Sequence, residues 1–195
     1  MPGQSLSKPG KEEISKGKNT KLLFIVNINA MRVYIMGFMG SGKTYWGKKW
    51  AQQYGITFVD LDEQIEQSEG MSINEVFEKK GEDHFRLLEA AALKSTADLH
   101  TAIIACGGGT PCFGNNLKWM SENGKTLFIE ASPDELLHNL RNETMNRPLL
   151  KRMNTAEMRL YIEEKLQERN SYYLKANHIL PYKHLTIHSL DFLFS

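Results

Sequence analysis

The sequence predicts an α/β fold, a parallel β-sheet covered by helices on both faces, with ligands bound along the carboxyl ends of its strands. Three observations lead there. Short apolar runs rich in β-branched residues alternate with helical patterns from residue 31 onward. A glycine-rich segment, "GFMGSGKT" at 37–44, follows the first run directly and opens into a helix. Two further runs end in conspicuous residues, "DLD" at 60–62 and "GGGT" at 107–110, so three chemically loaded segments fall on one rim of the sheet.

The elements follow in order. Met31 opens the first strand, "RVYIM". "GKTYWGKKWAQQYG" reads as a helix stopped at Gly55, and "TFVDLD" as a β-branched strand running into two acids. "SINEVFEKKG" begins with a capping box, Ser72 and Glu75, sets Ile73, Val76 and Phe77 on one face and ends at Gly81. Helix resumes in "DHFRLLEAAALKSTADL". "TAIIACGGGTP" is a buried strand breaking into a glycine turn, "NNLKWMSENG" a short helix and "KTLFIEA" a fourth strand. "SPDELLHNLRNE" has Ser132 at the cap, Pro133 at the first helical position and Glu135 completing a second capping box. The proline-containing stretch "TMNRPLLKRMNT" reads as a mobile loop before the long helix "AEMRLYIEEKLQERNSYYLKA", and "HLTIHS" as the last strand.

Composition narrows the function. The 195 residues suit one domain, and 41% hydrophobic with 24% charged residues is ordinary for a globular protein. The net charge is +1, but the first thirty residues carry five lysines against two glutamates, which leaves the rest slightly acidic. Nothing there recommends a nucleic-acid binder. "MPGQSLSKPGKEEISKGKNT" has too little apolar surface to offset the entropy of ordering, so residues 1–30 read as a disordered extension, or as one added by a misassigned start upstream of Met31. The run "LLFIV" is far shorter than a membrane span or a signal-peptide core. Cys106 and Cys112 are too few for a disulfide framework and point to a reducing cytosol.

The loop at 37–44 fits G-x-x-x-x-G-K-[ST], the P-loop pattern, in the strand–turn–helix context the motif requires. Gly37, Gly40, Ser41 and Gly42 would bring backbone N–H groups to the phosphates of a nucleoside triphosphate. Lys43 would reach the β- and γ-phosphates, and the Thr44 hydroxyl a Mg²⁺ ion. On a strand, Asp60 and Asp62 would point the same way with Leu61 opposite, although acids at a strand end also serve as helix caps. "GGGT" would let a ligand reach backbone N–H groups that any side chain would shield.

Taken in order, "GFMGSGKT", "DLD", "GEDHFRLLE", "CGGGTP", "NRPLL" and "ERNSYY" resemble the shikimate kinase family over about 31–175. The resemblance implies a three-layer P-loop kinase of the nucleoside-monophosphate-kinase-like type: a central five-stranded parallel sheet flanked by helices, spanning 31–195, with a mobile lid at about 143–154. It implies transfer of the γ-phosphoryl of ATP to the 3-hydroxyl of shikimate with Mg²⁺, by a cytoplasmic monomer that acts on small molecules and engages no membrane. By matching position, Asp60 resembles the acid that holds Mg²⁺ through water, and Asp62 the acid that meets the substrate hydroxyls and takes the proton. Arg86 and Arg169 match the arginines that grip the substrate carboxylate, Gly108 and Gly109 the glycines whose backbone meets substrate, and Arg147 the lid arginine that closes on the ATP phosphates. Arg141 is a looser match to an adenine contact. Glu130, which mimics a Walker B acid, reads as structural, and His178, His184 and His188 as surface histidines. Kinases of gluconate or nucleoside monophosphates would share the P-loop without needing two arginines beside "GGGT", and the chain lacks the N-K-x-D signature of a GTPase.

Overall fold

The structure, a computed structural model, describes residues 31–143 and 153–194. The 1–30 segment, Arg147 and most of the expected lid lie outside the described residues.

Five strands, β1 (Arg32–Met36), β2 (Thr57–Asp60), β3 (Ala102–Ala105), β4 (Lys125–Glu130) and β5 (His178–Pro181), form one sheet in the order β2-β3-β1-β4-β5. Every neighbouring pair is parallel, with Val33 in register with Ile103 and Ile35 with Leu127. β1 lies at the centre, and its Val33, Tyr34, Ile35 and Met36 are completely buried, as a strand covered on both faces must be. Alternation along it sends Tyr34 and Met36 to one side and Val33 and Ile35 to the other.

The Val33 face is covered by α1 (Lys43–Tyr54), through Trp50 and Ala51, and by the C-terminal helix α7 (Asp191–Phe194). The opposite face carries the second half of α3 (Ile73–Ser95), then α4 (Asn116–Asn123), α5 (Pro133–Glu143) and α6 (Thr155–Tyr173). A satellite core of Ile65, Val76 and Phe85 joins α2 (Leu61–Glu69) to α3. Gly81, at φ 83° and ψ 169°, kinks α3 where the sequence placed a helix end. Both predicted capping boxes form: Glu75 N–H donates to Ser72 Oγ and Glu135 N–H to Ser132 Oγ, and each glutamate accepts from the N–H of its serine. Among the described residues no helix is long and apolar enough to cross a membrane.

Two local expectations are corrected. The last strand is "HILP" at His178–Pro181, pairing with Leu127–Glu130, and not "HLTIHS". That later stretch folds into turns because its groups bond elsewhere: the Trp50 indole N–H donates to Thr186 O at 2.7 Å, and Thr186 N–H to Ser189 Oγ at 2.8 Å. The second correction concerns "DLD". The strand stops at Asp60 and α2 begins at Leu61, so Asp60 and Asp62 are not related by the pleat. Asp60 caps the helix instead, its Oδ1 accepting from Asp62 N–H at 3.0 Å.

Candidate active site

The P-loop leaves β1 and enters α1. Gly40 and Gly42 have φ of 78° and 81°, backbone that residues with side chains rarely adopt, so the tight turn depends on glycine there. Ser41 N–H closes the turn on Phe38 O. The Ser41 hydroxyl is buried with no hydrogen-bond partner among the described residues. Lys43 folds back over the loop, its Nζ donating to Gly37 O and Phe38 O at 2.9 Å each. From the α5 side, Asn139 Nδ2 donates to Gly40 O at 2.8 Å.

Thr44, the second residue of α1, donates its hydroxyl to Asp60 Oδ2 at 2.6 Å. The contact ties the start of α1 to the end of β2. Asp62 stands in the first turn of α2, half-buried, with Oδ1 turned inward toward the glycine turn.

The glycine turn after β3 is where the motifs meet. A Cβ built on Gly107 would lie 2.6 Å from Glu89 Oε1 and 3.1 Å from Asp62 Oδ1. One on Gly108 would lie 3.2 Å from Arg169 Nη1 and 3.6 Å from both Gly37 O and Met39 N of the P-loop. One on Gly109 would lie 2.6 Å from Arg86 Nη1. Three consecutive residues without side chains thus let two acids, the P-loop and two guanidinium groups crowd around one strip of backbone.

Each arginine is held by its own surroundings. Arg86, in the second half of α3, donates through Nη1 to Glu89 Oε2 at 2.8 Å and through Nη2 to Glu82 Oε1 at 3.0 Å. Burial works against its charge, but the Glu89 and Glu82 carboxylates outweigh that and raise its pKa. Glu89 is completely buried, and its other oxygen accepts from the Thr110 hydroxyl at 2.6 Å. Arg169, on α6, lies over the Phe38 ring at 5.7 Å, which ties it to the P-loop as well as to Gly108. Both guanidinium groups reach the Cys112 thiol electrostatically; burial raises its pKa and the two positive charges oppose the rise. Glu130 is exposed at the end of β4.

Lys43, Thr44, Asp60, Asp62, Arg86, Gly108, Gly109 and Arg169 therefore line one continuous surface at the carboxyl ends of β1, β2 and β3. The sequence reading missed Glu89, Thr110 and Tyr173, whose hydroxyl donates to Gly108 O at 2.5 Å. Two signals were available: Glu89 follows Arg86 by three residues and Tyr173 follows Arg169 by four, the spacings at which helical side chains meet.

Comparison with known proteins gives this surface its context. The family model for shikimate kinase matches residues 39–189. A shikimate kinase of Phocaeicola vulgatus is 38% identical over 148 residues, 76% of this chain and 85% of that protein. The chain belongs to the shikimate kinase family. In the same family, the 1.7 Å crystal structure of the Bacteroides thetaiotaomicron enzyme superposes with a TM-score of 0.77 at 35% identity, covering 80% of this chain and 88% of that one. The Acinetobacter baumannii shikimate kinase, crystallised in complex with shikimate, gives 0.71 at 28% identity, covering 78% and 84%.

Proposed function

We propose that the chain transfers the γ-phosphoryl of ATP to the 3-hydroxyl of shikimate, giving shikimate 3-phosphate and ADP on the route to chorismate and the aromatic amino acids. The observation that carries this reading is the junction at Gly108, within contact distance of the P-loop on one side and of Arg169 on the other. A phosphoryl donor on the loop and an anionic acceptor on the arginine would lie side by side, and holding two reactants so converts their meeting into an intramolecular step.

In this reading Lys43 and the P-loop backbone hold the β- and γ-phosphates, and Arg147 closes on them from the lid. Thr44 Oγ1 and Asp60 Oδ2, 2.6 Å apart, are hard oxygen donors of the kind Mg²⁺ takes, Asp60 acting through water. Bound there, Mg²⁺ would neutralise negative charge on the β- and γ-phosphate oxygens. Asp62 accepts the hydrogen bond of the attacking hydroxyl and takes its proton, a task suited to a carboxylate because it only accepts. Arg86 and Arg169 grip the acceptor carboxylate, for which the planar, permanently charged guanidinium is the matching partner. The backbone of Gly108 and Gly109 meets the acceptor between them. The protein works in the cytoplasm as a monomer.

A coupled ADP-release assay with ATP and Mg²⁺ tests the reading, with shikimate, gluconate and nucleoside monophosphates each offered as acceptor. Turnover is expected with shikimate alone. Turnover with another acceptor and none with shikimate would overturn the substrate assignment.

A further inference from the structure

The hydroxyl of Tyr173 has no part in any role assigned above. Its ring is completely buried in α6 and stacks on Phe128 of β4, with centroids 5.0 Å apart and planes at 26°. Packing alone would be served as well by phenylalanine, so the buried hydroxyl needs its own account. It donates to Gly108 O at 2.5 Å, at the short end of the O–H···O range, across 65 residues of sequence. Burial raises the phenol pKa strongly, and the charge of Arg169, one helical turn earlier, opposes the rise. The hydroxyl is therefore a donor to the glycine turn, with the Arg169 charge nearby.

The consequence lies in peptide geometry. In a planar trans peptide the carbonyl and the following N–H point in opposite directions. Holding Gly108 O against α6 turns the Gly109 N–H away from α6, and among the described residues that N–H has no partner within the chain. Arg169 lies beside the same turn, its Nη1 3.2 Å from where a Cβ on Gly108 would sit.

We propose that Tyr173 is a positioning residue of the acceptor site: its hydroxyl holds the Gly108–Gly109 peptide in one orientation beside the Arg169 guanidinium, so that the Gly109 N–H and the guanidinium engage the acceptor together. The proposal rests on the reading that Arg169 and Gly109 meet shikimate. It also makes a tyrosine in the α6 core a determinant of acceptor affinity with no place in the ATP site.

The test is Tyr173→Phe, which removes one oxygen and keeps the stacked ring. Its KM for shikimate should rise roughly 3- to 10-fold, as losing one neutral hydrogen bond implies, while kcat and the KM for ATP change less than about 3-fold. In an Arg169→Ala background the same substitution should have less than half that effect, because the two residues act as a unit. Phe128→Leu, which loosens the ring and keeps the hydroxyl, is the packing control and should lower the melting temperature without raising the shikimate KM selectively. If Tyr173→Phe proves too unstable for kinetics, 4-fluorophenylalanine at the same position removes the donor, keeps a para substituent for packing, and should still raise the shikimate KM. An unchanged shikimate KM in the hydroxyl variants overturns the proposal, as does a parallel rise in both KM values or the same selective rise in Phe128→Leu. If Arg169→Ala itself left the shikimate KM unchanged, the acceptor reading would fall first. Arg169→Ala with a raised KM beside an unaffected Tyr173→Phe would overturn the Tyr173 proposal alone.

Discussion

Replacing Glu89 by glutamine should weaken both the fold and the acceptor site. Glu89 is completely buried and carries two contacts, from Arg86 Nη1 at 2.8 Å and from the Thr110 hydroxyl at 2.6 Å. Glutamine keeps the volume and one acceptor oxygen but turns the other end into a donor, facing either a guanidinium or a hydroxyl. Removing one member of a buried charge pair costs ~3–5 kcal/mol. Arg86 retains Glu82, whose side chain is exposed, so roughly 2–3 kcal/mol is the expectation here. At about 2–4 °C per kcal/mol for a chain of this size, the melting temperature should fall by about 5–10 °C. The freed guanidinium should raise the shikimate KM about 10-fold, with the KM for ATP little altered. Thr110→Val removes one of the two contacts and should cost roughly 1–2 kcal/mol, the penalty of one unsatisfied buried acceptor. Thermal melts and the coupled ADP-release assay on the same preparations check both outcomes. A Glu89→Gln protein that melts within about a degree of the parent and keeps its shikimate KM would show that the buried pair organises nothing, and the reasoning would be wrong.

Three further outcomes are expected. Lys43→Ala should lower kcat by at least about 10²-fold, the loss of a preorganised charge at the transferring group, with the melting temperature nearly kept; near-normal turnover would remove the P-loop from the mechanism. Asp62→Asn should lower kcat by about 10²–10⁴-fold while ATP still binds, and an equal loss of ATP affinity would assign Asp62 to the metal instead. Glu75, in the capping box of α3, has its pKa lowered from 4.5 to about 2 by the Ser72 backbone and by Lys79. A depressed carboxylate stabilises the fold fully above its unfolded pKa and loses that contribution as pH falls through the folded one, so the window runs from about 4.5 down to about 2. Glu75→Gln should flatten the acid side of the stability profile in that window, and parallel profiles for the two proteins would refute the assignment.

What could be read from the sequence divides along the distance between partners. The strands, the capping boxes and the glycine turns are local, since a residue's neighbours within four positions decide them, and Ser72–Glu75 and Ser132–Glu135 formed as their spacing required. Two local readings failed, one to a tertiary bond and one to a competing local bond. "HLTIHS" has alternation suited to a strand, yet Trp50, 136 residues away, takes the Thr186 carbonyl. Asp60 could have continued the pleat, but two backbone N–H groups at the start of α2 needed an acceptor. Glu89 and Tyr173 were legible only by their helical spacing to Arg86 and Arg169, because their other partners lie far along the chain. Nothing within four residues tells a buried glutamate that its second partner is Thr110, or a core tyrosine that its hydroxyl faces Gly108.

Strand order explains why these distant residues meet at all. β1 sits between β3 and β4, so the P-loop that follows it has a different neighbour on each side. Toward β3 it meets the glycine turn, and through it Glu89, Arg86 and Arg169; toward β4 it meets α5, where the contact is the neutral amide of Asn139. β2 lies one strand beyond β3 and delivers Asp60 to Thr44 and Asp62 to the same glycine turn. The guanidinium groups and the inward acid therefore share one side of the P-loop, which is what an anionic acceptor with a reacting hydroxyl requires, while toward α5 the loop meets the Asn139 amide. A chain with the same local motifs threaded in another strand order would hold the same residues and bring them to different places. In the proposed reading the asymmetry around β1 puts the acceptor on the β3 side, and it also sets where substitutions should act: changes that reach the glycine turn should alter acceptor affinity and spare ATP.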